Sequence, residues 1–466
     1  MTRTRGRWPA PVAVVGALAL TLAACDGAPP TAAPPSVASS TSATASDEAD
    51  RTDAPSGAGI TAEEAIALGE EMTAALASGD VEEWLSLTVL EGAAAQQQRD
   101  WFEGVQAVPM DVRELHPVFL ANAAGEEGAE VEFSFRHQVT GVDAEPVVQP
   151  YVFTLVRADA GWRVSQVAGP DDVDAAYPQL WDLGPISVIE TEHLLVVTEA
   201  SAGTRRTTEA LETAAAATLT EFPLPGPDRM LVMLASAEPV SAMLGQGEGA
   251  SFGGWITPAS SPEVERDGIL PDVEDGAPGP VRVVLDRGEI EGEFSWYPRL
   301  DGGSPSMRNI ATTVALSQQS GPHASPTTWV YEGVALWFQS VGDPEVRDMA
   351  AGDYRWAFET GSLPDALPPA RWWEFYEEED LSQHFYEAGS VFEYVEAQHG
   401  LEVTVALGLD LSRLDYFTDG DEAIDLALRD HLGVGTEEFE AAWVEWVAHE
   451  FGDDGEDSPV ADDARR

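Results

Sequence analysis

The chain has 466 residues, with 82 acidic residues against 24 basic ones, every one of the latter arginine, for a formal charge of −58. So large a negative surplus repels phosphate backbones and anionic lipid heads, which excludes nucleic acid as a partner and favours a solvated acidic surface. A single cysteine excludes an internal disulfide framework, and no clustered calcium-loop pattern accompanies the acids.

In chain order, Arg3, Arg5 and Arg7 precede a run from Pro11 to Ala24 that carries no charge. A basic stretch followed by a short apolar one reads as an export signal, because a bilayer core needs about 20 apolar residues to be spanned. The run ends in Leu22-Ala23-Ala24-Cys25, which resembles the bacterial lipobox. The resemblance implies cleavage of residues 1–24 and a thioether-linked diacylglycerol on Cys25, with a further acyl chain such as palmitate on the new amino group. Two or more acyl chains anchor a protein stably where one binds reversibly. The expected location is the outer face of the bacterial cell membrane, with the membrane contacted through lipid on Cys25. Cleavage removes three arginines and no acid, leaving 21 basic against 82 acidic residues and a charge of −61. Residues 25–59 are mostly Ala, Pro, Ser and Thr, too poor in apolar surface to offset their ordering entropy, and are expected to be a disordered tether.

Roughly 390 residues then remain before an acidic, disordered tail at 453–466, more than one hydrophobic core usually serves, so two domains are expected. Pro170, Asp171, Asp172 and Asp174 interrupt the apolar pattern and place the boundary between 176 and 183. In the first domain, 60–176, Thr61 and Glu64 form a capping box ahead of Ala65, Leu68, Gly69, Met72 and Leu76 at helical spacing. A second helical stretch runs through Val81, Trp84 and Leu85 to Trp101 and Phe102. The period then changes to alternation in Val131, Phe133, Phe135, His137 and Val139, in Tyr151 to Leu155, and from Trp162 to Gln166, with a hairpin turn at Asp159-Ala160-Gly161. Helices followed by an antiparallel meander resemble the NTF2-like cone, a fold that hosts both enzymes and ligand binders. His137 lies on the apolar face and reads as a core histidine, with no acid that spacing would place beside it.

The second domain, 183–452, shows strands at Leu194 to Thr198, Met230 to Ala235 and Val281 to Leu285, and an alanine-rich helix from Thr207 to Phe222. From Met307 it becomes helical, ending with Phe439, Trp443, Trp446 and Val447 on one helix face. The fold class is α+β, with an α/β upper half and a helical lower half in the second domain.

Within that helical half, Trp329-Val330-Tyr331-Glu332-Gly333-Val334-Ala335-Leu336-Trp337 resembles the second helix of the gluzincin zinc peptidases, in particular the peptidase-MA-like branch. Tyr386 to Val395, His399-Gly400 and Gly435 to Trp443 resemble later helices of that family, so the likeness runs from Ile186 to Phe451. The family places HExxH eighteen residues before the glutamate, with two histidines and that glutamate on zinc and the HExxH glutamate as general base. Here those positions hold Asn309, Ile310 and Thr313, and Glu332 alone is kept. An amide and a hydroxyl are poor zinc ligands, and isoleucine accepts no proton. His323, in the loop between the two helices, reads as solvent-facing. His449-Glu450 begins like HExxH but has Asp453 in place of the second histidine, so it is read as coincidence.

The expectation is therefore a pseudopeptidase without metal, cofactor or catalytic residues, acting by binding a peptide, a cell-wall component or a protein partner. The alternative is a metallopeptidase or other hydrolase with an atypical site. No G-x-S-x-G elbow, P-loop or Rossmann glycine pattern is present.

Overall fold

The structure is a computed structural model that describes residues 59–119, 128–168, 178–200, 205–227, 229–244, 253–260, 280–297, 302–320, 327–371, 375–376, 381–414 and 416–451. The signal, Cys25, the tether, the acidic boundary at Asp171 to Asp174, His323 and the tail with Asp453 lie outside these residues. The chain is α+β, with an antiparallel sheet in its first part and a helical last part.

Helix α1, Ala62–Ser78, starts where expected: Thr61 Oγ1 accepts from Glu64 N at 3.2 Å, and Glu64 Oε2 accepts from Thr61 N at 3.0 Å. It stops at Gly79, whose φ of 72° belongs to the left-handed region that glycine enters without strain. The next helical stretch is two helices, α2 at Val81–Ser86 and α3 at Gly92–Ala107. The break between them is a sheet contact, for Val89 N donates to Val164 O at 2.8 Å and Val164 N to Leu87 O at 3.0 Å.

Strands β1 (Met110–Phe119), β2 (Ala129–Val139), β3 (Val147–Ala158) and β4 (Gly161–Ala168) form an antiparallel sheet in chain order. The expected alternation holds in β2, where Val131, Phe133, Phe135, His137 and Val139 are buried. β1 was not legible in the sequence: Arg113, Glu114 and Pro117 break its pattern. An edge strand tolerates that proline, since one side of its backbone needs no ladder partner.

A four-residue helix α4, Leu180–Leu183, leads to the second sheet. Its strands are β5 (Ile186–Glu190), β6 (Leu194–Glu199), β7 (Met230–Ala235), β8 (Gly253–Ile256) and β10 (Arg282–Asp286), while the two-residue β9 (Ala259–Ser260) pairs with β3 of the first sheet. The order is β5-β6-β7-β10-β8, parallel from β6 through β10 and antiparallel at both edges. Helix α5, Arg205–Glu221, crosses between β6 and β7, and α6 at Ala237–Met243 follows β7.

Alternate residues of this sheet go to different cores. Leu194, Val196, Val232, Leu234, Val283 and Leu285 pack with the helices of the last part. Leu195, Val197, Leu231, Met233, Ala235 and Val284 share a core with the aromatic residues of the first sheet. The first part of the chain is thus the cover over one face of the second sheet. Between them Arg282 on β10 donates to both carboxylate oxygens of Asp143, at 2.5 and 2.7 Å, with both side chains fully buried.

The helical part comprises α7 (Arg287–Trp296), α8 (Pro305–Ser320), α9 (Thr328–Phe338), α10 (Pro344–Thr360), α11 (Leu381–His399), α12 (Leu401–Ser412), α13 (Tyr416–Leu432) and α14 (Thr436–Phe451). α9 is hydrophobic around its circumference because it is the central helix. Its small residues permit that position: a Cβ on Gly333 would collide with the Ala388 carbonyl of α11. Among the described residues, no helix is long and apolar enough to cross a membrane.

Candidate functional site

α8 and α9 pack side by side, so the two helices that carry the HExxH-like register lie together. Asn309 is half-buried on α8, and the Thr313 hydroxyl donates back to the Asn309 carbonyl of its own helix at 3.2 Å. Ile310 is 1% exposed, with its side chain in the core that α8 shares with the second sheet. Ile310 serves packing and the Thr313 hydroxyl is spent on its own helix.

Glu332 lies on α9 at 4% exposure, and its carboxylate accepts a hydrogen bond from the Tyr376 hydroxyl. Burial pushes the Glu332 carboxyl up to about 7, opposed by that one donated bond. The same burial, with the neighbouring Glu332 charge, pushes the Tyr376 phenol far above its ordinary range. Tyr376 is itself wedged between Phe375 and Phe385, at ring separations of 5.3 and 6.2 Å. His384 on α11 points Nδ1 at the Phe375 carbonyl, 2.7 Å away. Tyr376 is the residue that the motif-based reading missed. It follows Glu332 by forty-four positions, outside every motif that the family pattern supplies.

Zinc fits this donor set poorly. Three protein ligands with an open fourth position are needed, whereas Glu332 is paired with a phenol, Thr313 is committed to its own helix and Asn309 offers only an amide, while Ile310 leaves the base position without an acceptor. Among the described residues, the group of metal-type side chains that does converge is Glu192, His193 and Glu212, at the β5–β6 turn and on α5. There Glu212 is already occupied by the Thr191 hydroxyl at 2.5 Å and by the His193 ring at 2.8 Å, and Glu192 is exposed. That cluster secures a turn.

His449 is 70% exposed at the end of α14 beside Glu450. His137 is a core residue: its Nδ1 donates to the Phe135 carbonyl at 3.3 Å, and its ring stacks on Phe135. Burial, and then the positive charge of Arg282, depress it to about 4, so it is neutral at physiological pH.

A second buried carboxyl went unseen in the sequence. Asp182 on α4 accepts from Tyr151 Oη at 2.5 Å, Gln149 Nε2 at 2.7 Å, Gln179 N at 2.6 Å and Trp101 Nε1 at 3.1 Å. Burial raises it to about 6 against these four donors. Its partners come from α3, β3 and the α4 cap, so it ties the first sheet to the connection leading into the second.

No family model and no curated protein matches the chain. Among solved structures, it is similar to an M1 zinc metallopeptidase from Deinococcus radiodurans, at 11% identity and a TM-score of 0.31, over 62% of this chain and 58% of that one. A mutant of a two-domain M1 zinc metallopeptidase bound to L-arginine gives 13% identity and a TM-score of 0.32, over 62% of this chain and 58% of that one. The D. radiodurans enzyme's mutant bound to a Tyr-Ser-Ala substrate gives 12% and 0.30, over 63% and 59%. The chain therefore spans under two thirds of the length of these enzymes. At such identity their chemistry does not transfer to it.

Proposed function

We propose that this protein is a noncatalytic, lipid-anchored binding protein of the bacterial cell surface: an NTF2-like layer over a degenerate gluzincin-like domain. The observation that carries the reading is the state of Glu332, a sealed carboxyl hydrogen-bonded to Tyr376, with Asn309, Ile310 and Thr313 at the positions where a peptidase needs ligands and base. Base catalysis typically contributes 10²–10⁴-fold, and Ile310 has no means of supplying it. A metal ion captured adventitiously would not restore that step. Anchoring rests on Leu22-Ala23-Ala24-Cys25 and the tether-like composition of residues 25–59.

Elemental analysis of the dialysed protein, with a peptidase assay with and without added zinc, tests the noncatalytic part. The expected result is no stoichiometric zinc and no cleavage. Near-unit zinc with chelator-sensitive cleavage that is lost in Glu332→Ala would overturn it. Lipid labelling in cells tests the anchor: Cys25→Ala is expected to abolish labelling and signal processing together, and persistent labelling would refute the lipoprotein reading.

A further inference from the structure

A groove on the helical part, of about 600 Å³, lies at the N-terminal end of α9, one helical turn from Glu332. That volume falls in the range of ordinary ligand sites. Its floor is apolar: Trp329 is 1% exposed and Ile424 is 6% exposed. One wall is the shelf Leu367-Pro368-Pro369-Ala370. The opposite wall carries Asp421, Glu422, Asp425 and Glu440, and among the described residues no basic side chain lines the space.

The four carboxylates are not equivalent. Asp425 is held by Arg429 at 2.7 Å and by the Thr436 backbone N–H at 2.8 Å, and Glu440 accepts from Leu367 N at 2.9 Å. These two are structural, one closing the α13–α14 turn and the other fixing the shelf to α14. Asp421 and Glu422 are exposed, and neither has an ion-pair partner among the described residues. Unspent negative charge stands above an apolar floor.

The shelf also limits how an occupant can be held. Pro368 and Pro369 have no N–H, and the Ala370 carbonyl already accepts from Thr328 N at 3.1 Å. A partner chain cannot add to this wall as a β-strand. Recognition falls to side chains, apolar ones below and cationic ones at the rim.

We propose that the groove binds a short basic peptide segment, with an aliphatic side chain on Trp329, Ile424 and the proline shelf, and arginine or lysine against Asp421 and Glu422. The proposal rests on the reading of the chain as a binding protein and names its partner class. Charge complementarity selects the occupant, since an acidic or neutral chain would leave the rim charges opposed or unpaired.

The test is fluorescence anisotropy with full-length protein in detergent and three labelled octapeptides, alternating arginine–leucine, arginine–serine and glutamate–leucine. The arginine–leucine peptide is expected to bind at least about tenfold more tightly than arginine–serine, with no binding of the acidic peptide. The rim charges are exposed and screened by water, so Asp421→Asn with Glu422→Gln should weaken binding only roughly threefold to tenfold. Ala370→Trp, which fills the groove, should abolish it while circular dichroism stays unchanged. Equal binding of the two arginine peptides would mean diffuse attraction to an acidic molecule and would overturn the proposal. So would the absence of any binding, or arginine–leucine binding unchanged in the rim variant. If Ala370→Trp fails to fold, the rim variant decides alone, because both of its residues are exposed. None of these outcomes bears on zinc content or cleavage, which decide the noncatalytic reading separately.

Discussion

Glu332 holds a proton in the folded protein at pH values where the unfolded chain has released it. Burial puts its folded value at about 7, above the 4.5 of an exposed glutamate, so the charged form is the one that folding penalises. The contribution to stability therefore falls as pH rises from 4.5 through 7 and is level above that. Glu332→Gln keeps an acceptor for Tyr376 and removes the charge. Its stability relative to the parent should be near zero at pH 4.5 and grow to about 1–3 kcal/mol in the variant's favour by pH 8. Urea unfolding of both proteins at the two pH values measures this. An advantage that shrinks with rising pH would show that the carboxylate is stabilised in place. Tyr376→Phe acts on the same pair in the opposite sense: it strips a buried carboxyl of its donor and should cost about 1–3 kcal/mol.

Among the helices, α9 shows why the sequence was partly legible. The Glu-Gly pair at 332–333 and the Ala-Gly-Ser run at 388–390 resembled a family pattern, and the structure gives each small residue a steric task. Gly333 faces the Ala388 carbonyl, Gly389 faces Tyr354 and Leu336, and Gly408 faces Val334. Close helix crossings of this kind leave a mark in sequence because only small side chains fit. Gly333→Ala should destabilise by about 1–3 kcal/mol, as overpacking does. Gly352→Ala on α10, where nothing lies within 4 Å of the added carbon, should instead stabilise by about 0.5–1 kcal/mol through helix propensity. Thermal melts of the two variants should move in opposite directions, and a matching shift would contradict the packing at α9. What the sequence did not disclose has a common physical origin. Tyr376 meets Glu332 from forty-four positions away, Asp182 gathers donors from three elements, and β1 has no clean alternation. Each depends on residues distant in sequence and leaves no local period.

At the scale of the molecule, the covered sheet is the feature that decides how the chain folds. Leu194-Leu195-Val196-Val197 is an unbroken apolar run, the pattern of a strand buried on both faces. Such a strand needs cover on its second face, and the first sheet and its helices supply it. The Asp143–Arg282 pair lies within that contact, and Asp143→Ala would leave an arginine buried without a counter-charge. Removing one partner of such a pair typically costs about 3–5 kcal/mol, so the variant should melt well below the parent. The sharper consequence concerns dissection. A fragment beginning at residue 178 keeps every helix of the last part, yet bares Leu195, Val197, Leu231, Met233, Ala235 and Val284 to solvent. A contiguous apolar face of that kind drives association. The fragment should aggregate or bind a hydrophobic dye at low concentration, while the full chain unfolds in one transition by both circular dichroism and tryptophan fluorescence. A monomeric, dye-silent fragment with its own cooperative melt would show that the second part is complete by itself and that the shared core contributes little to its folding.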